Sequence, residues 1–170
     1  ENQQVVNGDL LLTILSKYLS EKDNLNGGYV VSTVMSNYGF KIAMTEFGFN
    51  LIETPVGDKY VGEAMKKNNA KLGGEQSGHI ILSDYLPVGD ALLTCLLVLE
   101  AIDYFDISIA DFRKKFLVEY PQKLTNIELE KPLNDEELEF INQIALEMSI
   151  KLDLDGRYLI RNSGTEPLLR

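Results

Sequence analysis

The sequence Tyr-Val-Val-Ser-Thr-Val at residues 29–34 decides the fold. It is rich in valine and apolar almost throughout, which is typical of a β-strand that is covered on both faces of a parallel sheet. A helical stripe of apolar residues follows at residues 40–47, and Gly48 ends it. Residues 50–54 then predict a second short strand. The order strand, helix, strand predicts two parallel strands joined by a crossover helix.

The same alternation continues along the first two-thirds of the chain. A helix with an apolar face begins at Gly8 and Asp9, and another spans residues 60–67. Residues 79–82 predict a further strand after a glycine-rich loop. The alternation predicts an α/β fold with a mixed, largely parallel sheet and helices on both faces, followed by part of a smaller α+β domain.

Two later helices are marked by capping residues. Asp90 is expected to cap one helix, and Ser108 with Asp111 to start the next. The helix after Asp90 is apolar nearly all round, so we expect it to be central in the domain. Cys95 lies within this helix and is therefore expected to be a buried, inert thiol rather than a nucleophile.

The character of the sequence changes near Tyr120 and Pro121, where we place a linker. The predicted domains are residues 1–117 and residues 121–170. In the second, Asn134 with Glu137 resembles a capping box, and residues 157–160 predict a strand. A further strand-like segment lies between Pro121 and Pro132. One helix and two strands give too little structure for a complete core, so we expect this second domain to be incomplete.

Charge and composition exclude several classes of function. The chain has 170 residues with 16 Lys and Arg against 26 Asp and Glu, a formal net charge of -10. A protein that binds a nucleic-acid backbone or an anionic membrane surface needs a basic face, so neither is an expected partner. Phosphate binding would therefore have to depend on positive charge concentrated at particular loops rather than on the overall charge.

The single cysteine and the single histidine limit the chemistry further. One Cys cannot form an intrachain disulfide, and one Cys with one His cannot build the usual zinc site. We therefore predict a cytoplasmic protein with no metal site of its own. The sequence has no signal-peptide pattern and no apolar run of the length that spans a membrane. It also lacks the glycine fingerprints of P-loop ATPases and dinucleotide-binding folds.

The first candidate site, here called the glycine loop, is Gly-Gly-Glu-Gln-Ser-Gly-His at residues 73–79. If the segment is extended, Glu75, Ser77 and His79 alternate with other residues and point to one side. A carboxylate accepts and a hydroxyl both donates and accepts hydrogen bonds, which suits the neighbouring hydroxyls of a sugar. His79 can donate to a phosphate or move a proton near neutral pH. The alternative is a glycine turn with solvated polar residues, and the spacing alone does not decide between them.

The second candidate site, the terminal loop, is Arg-Asn-Ser-Gly-Thr-Glu-Pro-Leu-Leu-Arg at residues 161–170. Backbone amides around a glycine, two hydroxyls and two flanking guanidinium groups are the parts that can enclose a phosphate. The alternative is a surface turn whose arginines form salt bridges, and the density of donors favours phosphate binding. A third loop at residues 56–60 is weaker, because Asp58 is expected to cap a helix and Lys59 to be solvated.

Taken together, the glycine loop and the terminal loop resemble the sugar-binding and phosphate-binding loops of the alpha-D-phosphohexomutases. Residues 33–40, 56–61 and 89–90 resemble the same family, in the expected order. Gln76 stands where relatives acting on mannose and glucose phosphates typically carry Met, which favours the branch acting on glucosamine phosphates. Lys59 departs from the Arg usual in that branch, so a bidentate contact at this position is in doubt.

For the intact enzyme, the resemblance implies interconversion of glucosamine 6-phosphate and glucosamine 1-phosphate through a phosphoserine and a bisphosphorylated intermediate. It implies that Glu75, Ser77 and His79 bind the sugar, and that His79 and Lys59 are candidates for an assisting role in catalysis. It implies the following phosphate-binding residues: Arg161, Asn162, Ser163, Gly164, Thr165 and Arg170.

The resemblance also implies that two domains are missing from this chain. In relatives those domains carry the phosphoserine loop and the loop that binds Mg²⁺, so the chain alone is expected to be inactive and to hold none of the metal ligands. Its expected partners are a hexosamine phosphate and the missing domains. Two other interpretations stay open: a phosphomannomutase or phosphoglucomutase, and a noncatalytic module that binds phosphosugars.

Overall fold

The computed structural model describes residues 5–151, 157–163 and 166–170. The chain divides into two compact units, residues 1–120 and residues 121–170. The first unit contains the sheet that carries the glycine loop, and the second contains the terminal loop.

The first unit is built on a sheet of four strands: β1 (Tyr29–Thr33), β2 (Asn50–Thr54), β3 (Leu72–Gly74) and β4 (Ile80–Leu82). Their order across the sheet is β2-β1-β3-β4, with β1 parallel to both β2 and β3, and β4 antiparallel to β3. The predicted mixed, largely parallel sheet is thus confirmed. Strand β3 was not predicted, because three residues with two glycines carry little of the composition that marks a strand.

In the described part of this unit, five α-helices pack around the sheet: α1 (Gly8–Glu21), α2 (Tyr38–Glu46), α3 (Asp58–Asn68), α4 (Ala91–Phe105) and α5 (Ile109–Phe116). Successive residues of β1 point to opposite faces. Val30 packs into the larger core with residues of α1, α2, α4 and α5, while Val31 packs with Val61 and Met65 of α3. Helices therefore cover both faces of the sheet, as predicted.

The central helix is α1 and not α4, so the sequence-based expectation for α4 is wrong. Ten of the fourteen residues of α1 are buried, among them Thr13 and Ser16. These hydroxyls donate to the helix's own carbonyl oxygens, Thr13 to Asp9 and Ser16 to Leu12, both at 2.7 Å, so their burial leaves no donor unpaired. Because buried polar residues interrupt its apolar pattern, the sequence of α1 does not indicate that this helix is central.

Helix α4 instead presents an apolar face to solvent. Leu92 is 71% exposed, and Leu96 and Leu99 are each 57% exposed. Cys95 lies on the same face and is exposed, so the predicted buried thiol is wrong. The predicted cap is confirmed, because the Asp90 carboxylate accepts a hydrogen bond from the Leu93 backbone N–H at 2.7 Å.

The second unit contains β5 (Ile127–Glu128), α6 (Asp135–Lys151) and β6 (Leu168–Leu169). Strands β5 and β6 pair antiparallel. The predicted capping box is confirmed: the Asn134 and Glu137 side chains each accept from the other's backbone N–H, at 2.9 and 2.8 Å. The predicted strand at residues 157–160 is wrong, because the pairing partner of β5 is β6.

The core of this second unit is thin. Within the parts of it that the structure describes, only Ser163 and Leu169 are buried, and α6 buries no residue. No described helix of the chain is long and apolar enough to cross a membrane.

Candidate functional site

Three loops leave the carboxyl ends of the parallel strands β1, β2 and β3, at residues 34–37, 55–57 and 75–79. Because parallel strands end at the same edge of a sheet, these loops share one edge, where open α/β sheets bind their ligands. The glycine loop and the start of α3, which carries Lys59, therefore belong to one candidate site.

The glycine loop is the turn of the β3–β4 hairpin and not the extended segment on which its predicted alternation depended. The Gly78 N–H donates to the Glu75 carbonyl at 2.9 Å, and the Glu75 N–H donates to the His79 carbonyl at 2.9 Å. Gly78 has a φ of 98°, in the left-handed region that residues with a Cβ avoid. The glycine thus closes a tight turn, and the turn carries Ser77 at its exposed tip.

Glu75 is held by the neighbouring loop. One of its carboxylate oxygens, Oε1, accepts a hydrogen bond from the Gly57 N–H at 3.0 Å. Gly57 is the N-terminal cap position of α3, so the carboxylate lies at the positive end of the helix dipole. This contact joins the β2–α3 loop to the glycine loop and fixes the direction in which Glu75 points.

His79 is exposed and lies beside the start of α3. Its Nε2 is 3.8 Å from an Asp58 carboxylate oxygen, and its ring packs against Gly89, where a Cβ would overlap it. Asp58 is the first residue of α3 rather than its cap, which is Gly57. Lys59 extends into solvent, with its Nζ 3.9 Å from a Glu63 carboxylate oxygen.

These residues border an open groove of about 280 Å³. Its lining residues are Asp58, Lys59, Gly62, His79, Ile81, Pro87, Val88 and Gly89. A groove of this size is near the lower end of the volumes of small-molecule sites. It brings together His79 and Lys59, which the sequence placed in separate loops.

Buried side chains outside the predicted motifs hold the glycine loop. Asp9 was interpreted only as the opening of a helix, yet its fully buried carboxylate accepts hydrogen bonds from Gln76 and from Asn37. The partners of Asp9 are 28 and 67 residues away in sequence. Local pattern carries no signal for such contacts.

In the second unit, the terminal loop is closed by a short backbone ladder. Arg161 and Arg170 exchange both backbone hydrogen bonds, at 2.8 and 2.9 Å, and the Ser163 N–H donates to the Leu168 carbonyl at 2.8 Å. Two arginines nine residues apart in sequence are therefore opposite each other. Gly164 and Thr165, both expected to contact phosphate, lie outside the described residues.

The side chains of the terminal loop differ in how they are bonded. The Asn162 side chain holds the loop to Leu133: its amide accepts from the Leu133 N–H at 3.1 Å and donates to the Leu133 carbonyl at 2.7 Å. Ser163 is only 7% exposed, and its Oγ has no hydrogen-bond partner among the described residues. The same is true of the buried Nε of Arg170, whose Nη2 donates to Glu166 at 2.9 Å. Buried donors of this kind are rare unless a ligand or water accepts from them.

A metal ion does not fit the described part of the chain. No group of three or more His, Cys, Asp or Glu side chains converges there in a way that could hold one. In the described part of the chain, Asp9 is a carboxyl group beside the candidate site whose pKa is shifted: burial raises it, and hydrogen bonds from the Asn37 backbone and from the Ser36 and Gln76 side chains oppose that increase.

Two family models match the chain. The model described as phosphoglucomutase/phosphomannomutase, alpha/beta/alpha domain III, matches residues 7–120. The model of the C-terminal domain of the same family matches residues 124–170.

Curated relatives match along the whole chain. The phosphoglucosamine mutases of Streptococcus agalactiae and Streptococcus uberis are each 42% identical over 172 aligned residues. The alignment covers 100% of this chain and 38% of each relative, so the chain spans less than half the length of the relatives that it matches.

Solved structures share the fold. The N-acetylphosphoglucosamine mutase of Aspergillus fumigatus, in complex with GlcNAc-6P and magnesium, has a TM-score of 0.78 at 18% identity. The match covers 98% of this chain and 42% of that protein. A further N-acetylglucosamine-phosphate mutase of the alpha-D-phosphohexomutase superfamily, in its substrate complex, has a TM-score of 0.76 at 21% identity, over 96% of this chain and 39% of that protein.

Proposed function

Because the chain belongs to the phosphoglucomutase/phosphomannomutase family of alpha-D-phosphohexomutases, we propose that it supplies the sugar-binding and phosphate-binding loops of a phosphoglucosamine mutase. The reaction is the interconversion of glucosamine 6-phosphate and glucosamine 1-phosphate. The observation that carries the proposal is the 42% identity to phosphoglucosamine mutases over the whole chain.

Glu75 and Ser77 bind the sugar in this proposal. A carboxylate has about four acceptor positions, so the hydrogen bond from Gly57 leaves Glu75 capacity for sugar hydroxyls. Because Gly57 already orients the carboxylate, little conformational entropy is lost when the sugar binds. Ser77 is exposed on the adjoining turn and can both donate to and accept from a hydroxyl.

His79 and Lys59 border the groove and have supporting roles. His79 contacts the substrate or moves a proton at a reacting hydroxyl, and its Nε2 lies 3.8 Å from an Asp58 carboxylate oxygen. Lys59 contributes positive charge from a flexible stem, without the planar fork that an arginine would provide.

The terminal loop binds the phosphate that is not reacting. Arg161 and Arg170 face each other across the loop, and both can donate to phosphate oxygens. Ser163 Oγ and Arg170 Nε are buried without partners among the described residues, and phosphate oxygens would satisfy both. Gly164 and Thr165 complete the proposed site. Asn162 supports it indirectly, by holding the loop to Leu133.

Catalysis on this account is mainly positioning and neutralisation of charge, as expected for phosphoryl transfer. The substrate must be held in two orientations, so that either phosphate can face the reacting group. The phosphoserine and the Mg²⁺ ligands belong to the part of the enzyme that this chain does not span. The chain alone is therefore proposed to be inactive.

The test is turnover by the full-length protein. Glucosamine 6-phosphate, glucose 6-phosphate and mannose 6-phosphate are compared by kcat/KM, each with its bisphosphate activator and magnesium. The proposal predicts the highest kcat/KM for glucosamine 6-phosphate and no turnover by residues 1–170 alone. A preference for mannose or glucose phosphate would support the alternative branches of the family, and binding without any turnover would support a noncatalytic module.

A further inference from the structure

The N-terminus of α1 is in direct contact with the glycine loop. The Gly8 N–H donates to the Gln76 carbonyl at 2.8 Å, which satisfies one of the free amides at the start of the helix. A Cβ at residue 8 would overlap the Glu75 carbonyl oxygen. The backbone of Glu75 and Gln76 therefore packs directly against the first turn of α1.

Asp9 adds a side-chain contact to this backbone contact. Its Oδ2 accepts from the Gln76 side-chain amide at 3.1 Å and from the Asn37 backbone N–H at 2.8 Å. The residue is fully buried. A carboxylate in such a place is costly unless it is hydrogen-bonded. The carboxylate thus provides one fixed acceptor for both the Gln76 side chain and the Asn37 backbone.

Asn37 extends the network to the end of the first unit. Its side-chain amide accepts from the Tyr120 N–H at 3.0 Å and donates to the Tyr120 carbonyl at 2.8 Å. Gln76, Asp9 and Asn37 thus connect the glycine loop to the last residue of the unit, with the Asn37 backbone making the contact to Asp9 and the Asn37 side chain the contact to Tyr120. The carboxylate of Asp9 lies in the middle of this connection.

We propose that Asp9 is a positioning residue for the glycine loop. Gln76 acts on the substrate only through its bond to Asp9, which fixes the side chains of its two neighbours, Glu75 and Ser77. The proposal rests on the proposed function, because it assigns those two neighbours to the sugar. Gln76 points its amide into the protein, so the residue that distinguishes this loop from its Met-containing relatives shapes the site without touching the sugar. A displacement of about 1 Å in a positioned group can cost roughly a hundredfold in rate.

The first test is a double-mutant cycle in the full-length enzyme with Gln76→Met and Asp9→Ala, measured as KM and kcat for glucosamine 6-phosphate. Each single variant is expected to raise KM about tenfold, as for loss of a hydrogen bond to a charged group, with a smaller change in kcat. In the Asp9→Ala background, Gln76→Met is expected to have almost no further effect. Independent effects that multiply would overturn the proposal, because they would mean that Gln76 contacts the substrate itself.

Two controls separate positioning from loss of stability. Ser16→Ala removes another buried hydrogen bond of α1, at the far side from the loop, and is expected to lower the melting temperature while leaving KM unchanged. Asp9→Asn keeps an acceptor oxygen for Gln76 and Asn37, so it is expected to restore KM to within about twofold of the wild type. A KM for Asp9→Asn as high as that for Asp9→Ala would contradict the positioning role.

The turnover of glucosamine 6-phosphate by the wild type is measured first. Its absence would contradict the proposed function, an outcome distinct from failure of the positioning role of Asp9. The second test does not depend on activity: a crystal structure of the Asp9→Ala protein is compared with that of the wild type. The proposal predicts that Gln76 moves and that the Gly57 to Glu75 hydrogen bond lengthens or breaks. A glycine loop that is unchanged in the variant would overturn the proposal even if the enzyme acts on a different sugar phosphate.

Discussion

The glycine loop and the terminal loop reach their conformations in opposite ways. The glycine loop is fixed by its surroundings: the first turn of α1, the buried Asp9 and the backbone of Gly57 all bond to it. The terminal loop is fixed by its own ladder and by Asn162, in a unit where only two described residues are buried. In the first loop the Glu75 carboxylate and the Gln76 amide bond to the protein, whereas in the second Ser163 Oγ and Arg170 Nε have no partner among the described residues. Rigid orientation suits recognition of sugar hydroxyls, while open donors suit an anion.

The largest effect is expected at the base of the glycine loop. Gly8→Ala would drive a methyl group into the Glu75 carbonyl, so we expect a loss of about 3 kcal/mol in the free energy of unfolding. Gly62→Ala in α3 is the matched control, because nothing lies within 4 Å of its added Cβ; it should gain roughly 0.5–1 kcal/mol. Urea unfolding of both variants checks this. Equal stability of the two proteins would show that α1 does not support the loop.

The next effect concerns phosphate binding by the terminal loop. Arg161→Ala should weaken binding of glucosamine 6-phosphate to the full-length protein roughly thirtyfold, because a charge-assisted contact is lost. Arg161→Lys keeps the charge but not the fork, so it should recover only part of the affinity. Calorimetric titration at two salt concentrations measures both. An affinity that is unaltered in Arg161→Ala would remove this residue from the phosphate site.

A smaller effect separates ligand binding from folding. Ser163→Ala should weaken phosphate binding about tenfold, yet change the free energy of unfolding by less than about 0.5 kcal/mol, because the hydroxyl has no partner to lose among the described residues. Calorimetry and urea unfolding on the same protein give the two numbers. A loss of stability with unchanged affinity would reverse the role assigned to Ser163 and make the terminal loop resemble the glycine loop.

The smallest effect lies at the far end of α1. The Tyr18 hydroxyl donates to the Glu100 carboxylate at 2.6 Å, which raises the pKa of Tyr18 from 10.0 to about 12. A raised folded-state pKa means that this contribution to stability is present below pH 10 and is lost as the pH rises from 10 to about 12. Tyr18→Phe should cost about 1 kcal/mol at pH 8 and nearly nothing above pH 12. A difference between wild type and variant that does not change with pH would contradict the assigned hydrogen bond.

Prediction from sequence succeeded where the signal is local. The strands at residues 29–34 and 50–54 and the caps at Asp90 and Asn134 follow from residue types a few positions apart, and the structure confirms them. Prediction from sequence failed where tertiary packing determines which residues are buried. Burial of α1 depends on hydroxyls that bond within the helix, and exposure of Leu92 and Cys95 depends on which face of α4 meets α1.

The candidate site shows the same division. Glu75, Ser77 and His79 were identified from one short motif, but their predicted extended alternation was wrong because Gly78 closes a turn. Asp9 and Asn37 could not be identified, since each contacts residues far away in sequence through the tertiary fold. The resemblance of the motifs to a family suggests the proposed roles of these side chains, and the structure shows which contacts hold the loop that carries them.

The most direct measurement is a crystal structure of the full-length protein with glucosamine 6-phosphate. We predict sugar hydroxyls within hydrogen-bond distance of Glu75 and Ser77, and phosphate oxygens within that distance of Arg161 and Ser163 Oγ. Gln76 should stay bonded to Asp9 and should not touch the sugar. A phosphate bound away from the terminal loop, or a sugar that contacts neither Glu75 nor Ser77, would contradict the proposed site.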